Sequence, residues 1–107
     1  MREKVTNALL SMGIPISQPG FLYMVDILEM FFENGAPITN MGVVYKAVAK
    51  NRKCSVDDVN KQIERSIKYA FVNGNVANRT KYFGLGITTR SNGNYLAMMW
   101  QRLKEEE

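Results

Sequence analysis

Residues 38–75 read ITNMGVVYKAVAKNRKCSVDDVNKQIERSIKYAFVNGN. The spacing predicts two helices joined by a short polar turn. In the first, over residues 40–51, Met41, Val44, Tyr45, Val48 and Ala49 recur at helical intervals, and Thr39 or Asn40 serves as N-cap. The turn runs from Asn51 to Ser55. Ser55-Val56-Asp57-Asp58 resembles a capping box, with Ser55 as cap and Asp58 in the acid slot. The second helix continues to about Val72, and Gly74 suits the position after a helix C-terminus. Its buried stripe is Val56, Val59, Ile63, Ile67, Ala70 and Phe71. Asp58, Lys61, Arg65, Lys68 and Val72 project to the opposite side, flanked by Asn60 and Glu64. This is the layout of a helix-turn-helix, in which one helix crosses the DNA backbone and the next enters the major groove.

The charge distribution agrees with a polyanion partner. The net charge is +4, and residues 46–90 carry ten cations against three acids. Both flanking segments are slightly acidic. The positive charge therefore gathers on the helix pair and the residues after it. Lys46, Lys50, Arg52 and Lys53 cluster near the end of the first helix. They complement the helix dipole there and, with Lys68, are candidates for phosphate contact.

Upstream, Val5, Ala8, Leu9 and Met12 place a helix over residues 2–12, which Gly13 ends. Ser17-Gln18-Pro19-Gly20 reads as a turn. Residues 21–33 form the most apolar segment, with Asp26, Glu29 and Glu33 along one face, and so predict a central helix. Downstream, Ala77–Tyr82 fits a short helix. Leu85–Arg90 fits a strand, and with a Ser91–Asn94 turn and Tyr95 onward as its partner would form a wing. The preferred reading is a helix from about 92 to 104, carrying Tyr95, Leu96, Met98, Met99, Trp100 and Leu103, with Ser91 or Asn92 as cap.

Composition narrows the function classes. The chain has 107 residues, 46% of them hydrophobic, which suits one domain with a real core. There is no histidine and one cysteine, Cys54, so neither a histidine-based triad nor a thiolate metal cluster is available. Gly84 and Gly86 form a lone G-x-G without the lysine-serine of a phosphate loop. The expectation is a protein that is not an enzyme, with no cofactor, no metal and no small-molecule substrate. No apolar run approaches a membrane span and the N-terminus lacks signal-peptide features, so the expected location is cytoplasmic.

Several ordered stretches also carry a family resemblance. Gly13-Ile14-Pro15 is followed by Gly20-Phe21-Leu22-Tyr23, then Ile38-Thr39, Tyr45 and Val48-Ala49-Lys50. Val59, Ile63 and Ile67 lead to Ala70-Phe71-x-x-Gly74-Asn75, and Phe83-Gly84 precedes Ser91-Asn92-x-x-Tyr95-Leu96-Ala97. Nearly the whole chain resembles the C-terminal DNA-binding effector domain of the stage zero sporulation protein A response regulators. The resemblance implies an all-α, six-helix bundle containing a helix-turn-helix, which argues against the wing. It implies sequence-specific binding to double-stranded DNA by a transcription regulator, as a homodimer or as tandem protomers. Carried over by position, the base or groove contacts fall on Ser55, Asp57, Asp58, Asn60, Lys61 and Arg65.

The sequence departs from the family at Asp58, Asn60 and Glu64, where the family favours a cation, an acid and a cation. Asn60 suits adenine N6/N7, and the carboxylates suit cytosine N4 or the helix dipole. The family's regulators carry an N-terminal receiver domain. The expectation here is a single effector domain over residues 1–107, with no receiver present. An alternative follows: a protein-interaction module that heterodimerises with a full-length regulator without binding DNA itself. RNA binding is less favoured, because the aromatics read as buried rather than displayed with cations on a sheet.

Overall fold

The computed structural model describes residues 1–74, Ala77 and residues 91–106. It is all-helical, with no strand among the described residues. The helices are α1 (Arg2–Ser11), α2 (Pro19–Asn34), α3 (Met41–Arg52), α4 (Val56–Asn73) and α5 (Asn92–Glu105). The α5 helix decides the reading of the C-terminal segment: Tyr95 onward is helix, not a wing strand, and the Ser91 hydroxyl caps it by accepting from the Asn94 N–H. The short helix expected at Ala77–Tyr82 and the strand alternative at Leu85–Arg90 lie outside the described residues, apart from Ala77, which is helical.

α2 is the central element and packs against the other four helices. Phe21, Met24, Ile27, Leu28 and Phe31 are almost wholly buried on it. Each contributes about 1.5–3 kcal/mol of apolar burial. Val5 and Leu9 from α1, Val44 and Val48 from α3, Val59, Ile63 and Ile67 from α4, and Tyr95, Leu96 and Met99 from α5 complete the core.

The start of α2 differs from the sequence expectation. Ser17–Gly20 is not all turn: Pro19 opens the helix and Gln18 is its N-cap. Proline is pre-organised for the first helical turn, where its missing N–H costs nothing. Gly20 then lies against α4. A Cβ at this position would meet the Ser66 Oγ at 2.4 Å and the Gln62 carbonyl oxygen at 2.5 Å. Glycine lets the two helices approach more closely than any side chain would allow. Ser66 is fully buried at the crossing, and its hydroxyl donates to Gln18 Oε1 at 3.0 Å. The close approach thus brings a hydrogen bond with it, as burial of a hydroxyl requires.

A second tight approach joins the ends of α1 and α4. Gly13 has a positive φ of 86° and closes α1, with the Ile14 N–H donating to the Leu9 carbonyl. Gly74 is extended (φ −80°, ψ 172°), not left-handed as a C′ glycine would be. Its small size serves packing instead: a Cβ there would lie 2.5 Å from the Met12 carbonyl oxygen.

Polar links fix the helices around α2. Asp26 receives Arg52 of α3 through two hydrogen bonds of 2.8 Å each. Arg2 of α1 pairs with Glu29 and lies 3.7 Å from Asp26. The acidic face of α2 is therefore a docking strip for arginines from both neighbours. Tyr23 is buried, and its hydroxyl donates to Asp58 Oδ2 at 3.1 Å, tying α2 to the first turn of α4. The Cys54 side chain, burial and Asp58 together raise the Tyr23 phenol pKa above its ordinary value. Lys4 donates to the Leu103 carbonyl at the C-terminal turn of α5.

Two outcomes test this framework. Gly20→Ala is expected to cost about 2–3 kcal/mol, roughly 10–20 °C in Tm, because the Gln62 backbone, as well as the Ser66 hydroxyl, blocks the added methyl. Gly35→Ala, where nothing lies within 4 Å but φ is 78°, should cost only about 1 kcal/mol. Equal losses in thermal melts would refute the close-crossing explanation. Tyr23→Phe is expected to cost about 1 kcal/mol at neutral pH by leaving Asp58 without its donor. A phenol whose pKa is raised on folding stabilises fully below the unfolded value near 10. Above that the unfolded chain ionises first, so stability is lost as pH rises toward the folded value. Urea melts above pH 10 should show a shallower alkaline loss in Tyr23→Phe. Part of the loss remains, because burial also raises Tyr45.

Candidate nucleic-acid interface

The residues that sequence reasoning singled out lie along α3, the turn and α4, on surfaces that the core leaves outward. α3 begins at Asn40, whose side chain accepts from the Val43 N–H, and ends at Lys53. Lys53 is left-handed (φ 58°, ψ 47°), the one non-glycine residue with positive φ among the described residues. That conformation reverses the chain within two residues, and the Cys54 N–H then donates back to the Ala49 carbonyl. Ser55 caps α4 with its hydroxyl, which accepts from the Asp58 N–H at 3.0 Å.

The capping box is realised on one side only. Ser55 plays its part, but the Asp58 carboxylate accepts from Tyr23 across the helix pair. Asp58 is half-buried, and the expected outward projection is correspondingly reduced. Asp57 stays exposed and pairs with Lys61 at 3.1 Å. Glu64 pairs with Lys68 at 2.9 Å. Both are i,i+4 pairs on an open helix face, where such bridges are worth about 0.3–0.5 kcal/mol and separate readily.

α4 buries Val59, Ile63, Ser66, Ile67 and Ala70. Val56, expected in that stripe, is exposed; Ser66 takes a buried place where the helix meets Gly20. The outward face carries Lys61, Arg65, Lys68 and Val72, the last 82% exposed. Asn60 sits at the edge of this face. Asn92 of α5 donates from Nδ2 to the Asn60 backbone carbonyl at 3.1 Å and to Asn60 Oδ1 at 2.9 Å. Both asparagines line an open groove of about 690 Å³ that also includes Tyr45, Glu64 and Lys68.

The cations divide into two groups. Arg52 is engaged by Asp26, and Lys61 and Lys68 have intrahelical partners. Lys46, Lys50, Lys53 and Arg65 are exposed and have no ion-pair partner among the described residues. These four belong to the C-terminal part of α3, the turn and the outer face of α4. Sequence reasoning named all of them, but it missed Tyr23, Asp26 and Asn92, which hold Asp58, Arg52 and Asn60. Those partners are 26–35 residues away in sequence, so no local pattern reveals them.

Among the described residues, no group of three or more histidine, cysteine, aspartate or glutamate side chains could hold a metal ion. No helix among them is long and apolar enough to cross a membrane. The family model described as Sporulation initiation factor Spo0A C terminal matches residues 5–103, taking in all of α2, α3 and α4 and most of α1 and α5. The chain therefore belongs to the Spo0A C-terminal family, a family of DNA-binding regulatory domains from sporulation initiation factors.

Proposed function

We propose that residues 1–107 act as a single six-helix effector domain that binds double-stranded DNA sequence-specifically. In this reading α3, the turn and α4 are a helix-turn-helix, with α4 in the major groove and α3 over the backbone. The observation that carries it is the set of exposed cations without carboxylate partners among the described residues: Lys46, Lys50, Lys53 and Arg65. Unpaired cations on one helix pair are positioned to neutralise phosphates and release counterions. Family membership supports the same partner.

The roles differ from one residue to the next. Lys46, Lys50 and Lys53 suit phosphate contact, and Arg65 suits the groove. Lys61 and Lys68 join them by exchanging weak intrahelical acids for phosphates. Ser55 and Asp57 lie at the start of α4, where the open N–H groups favour phosphate and soften the cost of an acid. Asp58 and Arg52 act as positioning residues, because Tyr23 and Asp26 hold them against α2. The chain would bind its operator as a homodimer or as tandem protomers.

Lys53 carries a signature of this role. A lysine in the left-handed region is disfavoured by roughly 1 kcal/mol relative to glycine. Lys53→Gly is therefore expected to keep or raise stability, by up to about 1 kcal/mol, while weakening DNA binding. A melt and a binding titration on the same variant separate the two effects.

Fluorescence titration against duplexes at several salt concentrations tests the reading as a whole. Affinity should fall steeply with salt, and Lys50→Ala should lower the log–log slope by roughly 0.9 if it removes one phosphate contact. Arg65→Ala should cost about 1–3 kcal/mol and relax sequence preference at one position. Binding that does not change with salt, or that survives both substitutions intact, would sink the proposal.

A further inference from the structure

The Asn60–Asn92 pair has a fixed polarity. A backbone carbonyl can only accept, so the Asn92 atom 3.1 Å from the Asn60 carbonyl oxygen is the NH₂ nitrogen. The Asn60 side-chain atom 2.9 Å from that same nitrogen must then be the amide oxygen. Both donations come from one NH₂ group, and the Asn92 side chain also hydrogen-bonds Tyr45. The Asn60 oxygen is occupied, and its own NH₂ lies on the other side of the planar amide. No described residue accepts from that NH₂, and Asn60 lines the open groove beside the outer face of α4.

A free asparagine can read adenine by accepting from N6 and donating to N7. Here the acceptor is already turned toward α5, and only the donor remains. We propose that Asn60 is a specificity-determining residue that reads one base as a donor alone, selecting guanine, whose N7 and O6 both accept, over thymine, which offers O4 alone beside its methyl group. Cytosine, which presents only a donor in the major groove, is the most strongly rejected. Adenine, which offers one acceptor beside a donor, is disfavoured relative to guanine. Asn92 is the positioning residue, and it makes this selection without touching DNA. The inference rests on the reading of α4 as the recognition helix.

Selection of bound duplexes from a random library tests it, run in parallel for the wild type and for Asn60→Asp, Asn60→Ala and Asn92→Ala. Thermal melts confirm that each variant is folded. The wild type should return a consensus with guanine at one position. Asn60→Ala should lose about tenfold discrimination at that position and at no other. Asn60→Asp keeps an oxygen for Asn92 but presents an acceptor outward, so guanine should give way to cytosine there. The comparison is among bases within one variant, so a uniform loss of affinity from the added charge does not affect it. Asn92→Ala frees the Asn60 oxygen and should admit adenine alongside guanine. A base other than guanine at the Asn60-dependent position in the wild type would overturn the inference. So would an unchanged consensus in either Asn60 variant, or guanine alone in Asn92→Ala. A wild type that enriches no duplex would instead overturn the DNA-binding reading itself, and this inference with it.

Discussion

The crossing of α2 over α4 at Gly20 governs the geometry of the rest. The backbone of Gly20 there meets the Gln62 carbonyl and the Ser66 hydroxyl of the other helix, with no side chain of its own between them. From that point α2 runs back along α4 toward its start. It passes Tyr23 beside Asp58 and reaches Asp26 beside Arg52. These contacts share one register. Widening the crossing would pull the Gln18–Ser66 hydrogen bond, the Tyr23–Asp58 hydrogen bond and the Asp26–Arg52 pair apart together. A recognition helix, the role proposed for α4, needs a fixed angle relative to its supports, which well-packed elements with satisfied polar links would supply.

The same links sort the charges. Arginine forms a planar fork suited to a carboxylate, and Arg52 spends that geometry on Asp26. Lys46, Lys50 and Lys53 are exposed point charges with no ion-pair partner among the described residues. One cation of the basic cluster thus secures the end of α3, while the lysines remain on the surface. On α4 the formal neutrality of the helix conceals an asymmetry. One of its acids, Asp58, is drawn toward α2 by Tyr23, whereas Arg65 stays exposed and unpaired among the described residues.

The helices were largely legible in the sequence because their signals are local. Periodic apolar residues, the Asn40, Ser55 and Ser91 caps and the polar turn after α3 all act within a few residues. What was not legible depends on contacts made across the fold. Gly20 reads as turn chemistry beside Pro19 until α4 is placed against it. Gly74 reads as a left-handed helix stop, yet its backbone is extended and its smallness serves the approach of Met12. Asp58 reads as a capping-box acid, and only the position of Tyr23 shows what its carboxylate accepts. The residues proposed to meet DNA were visible as types and spacings. Their division into paired and unpaired groups was not.

That division bears on how a helix with acids at its start can serve a polyanion. Asp57 and Glu64 lie four residues before Lys61 and Lys68, the order that best stabilises an exposed helix. Such a pair holds a long lysine chain along the helix when no ligand is near, at an energy small enough to exchange. A phosphate arriving beside Lys61 or Lys68 replaces one anion with another, so the gain from each is less than from an unpaired cation. Among the described residues Lys50, Lys53 and Arg65 have no paired acid to exchange. In the proposed complex the sequence-independent part of the affinity would fall on the lysines at the end of α3 and in the turn. Arg65 and the Asn60 edge of α4 would be left to distinguish one base from another.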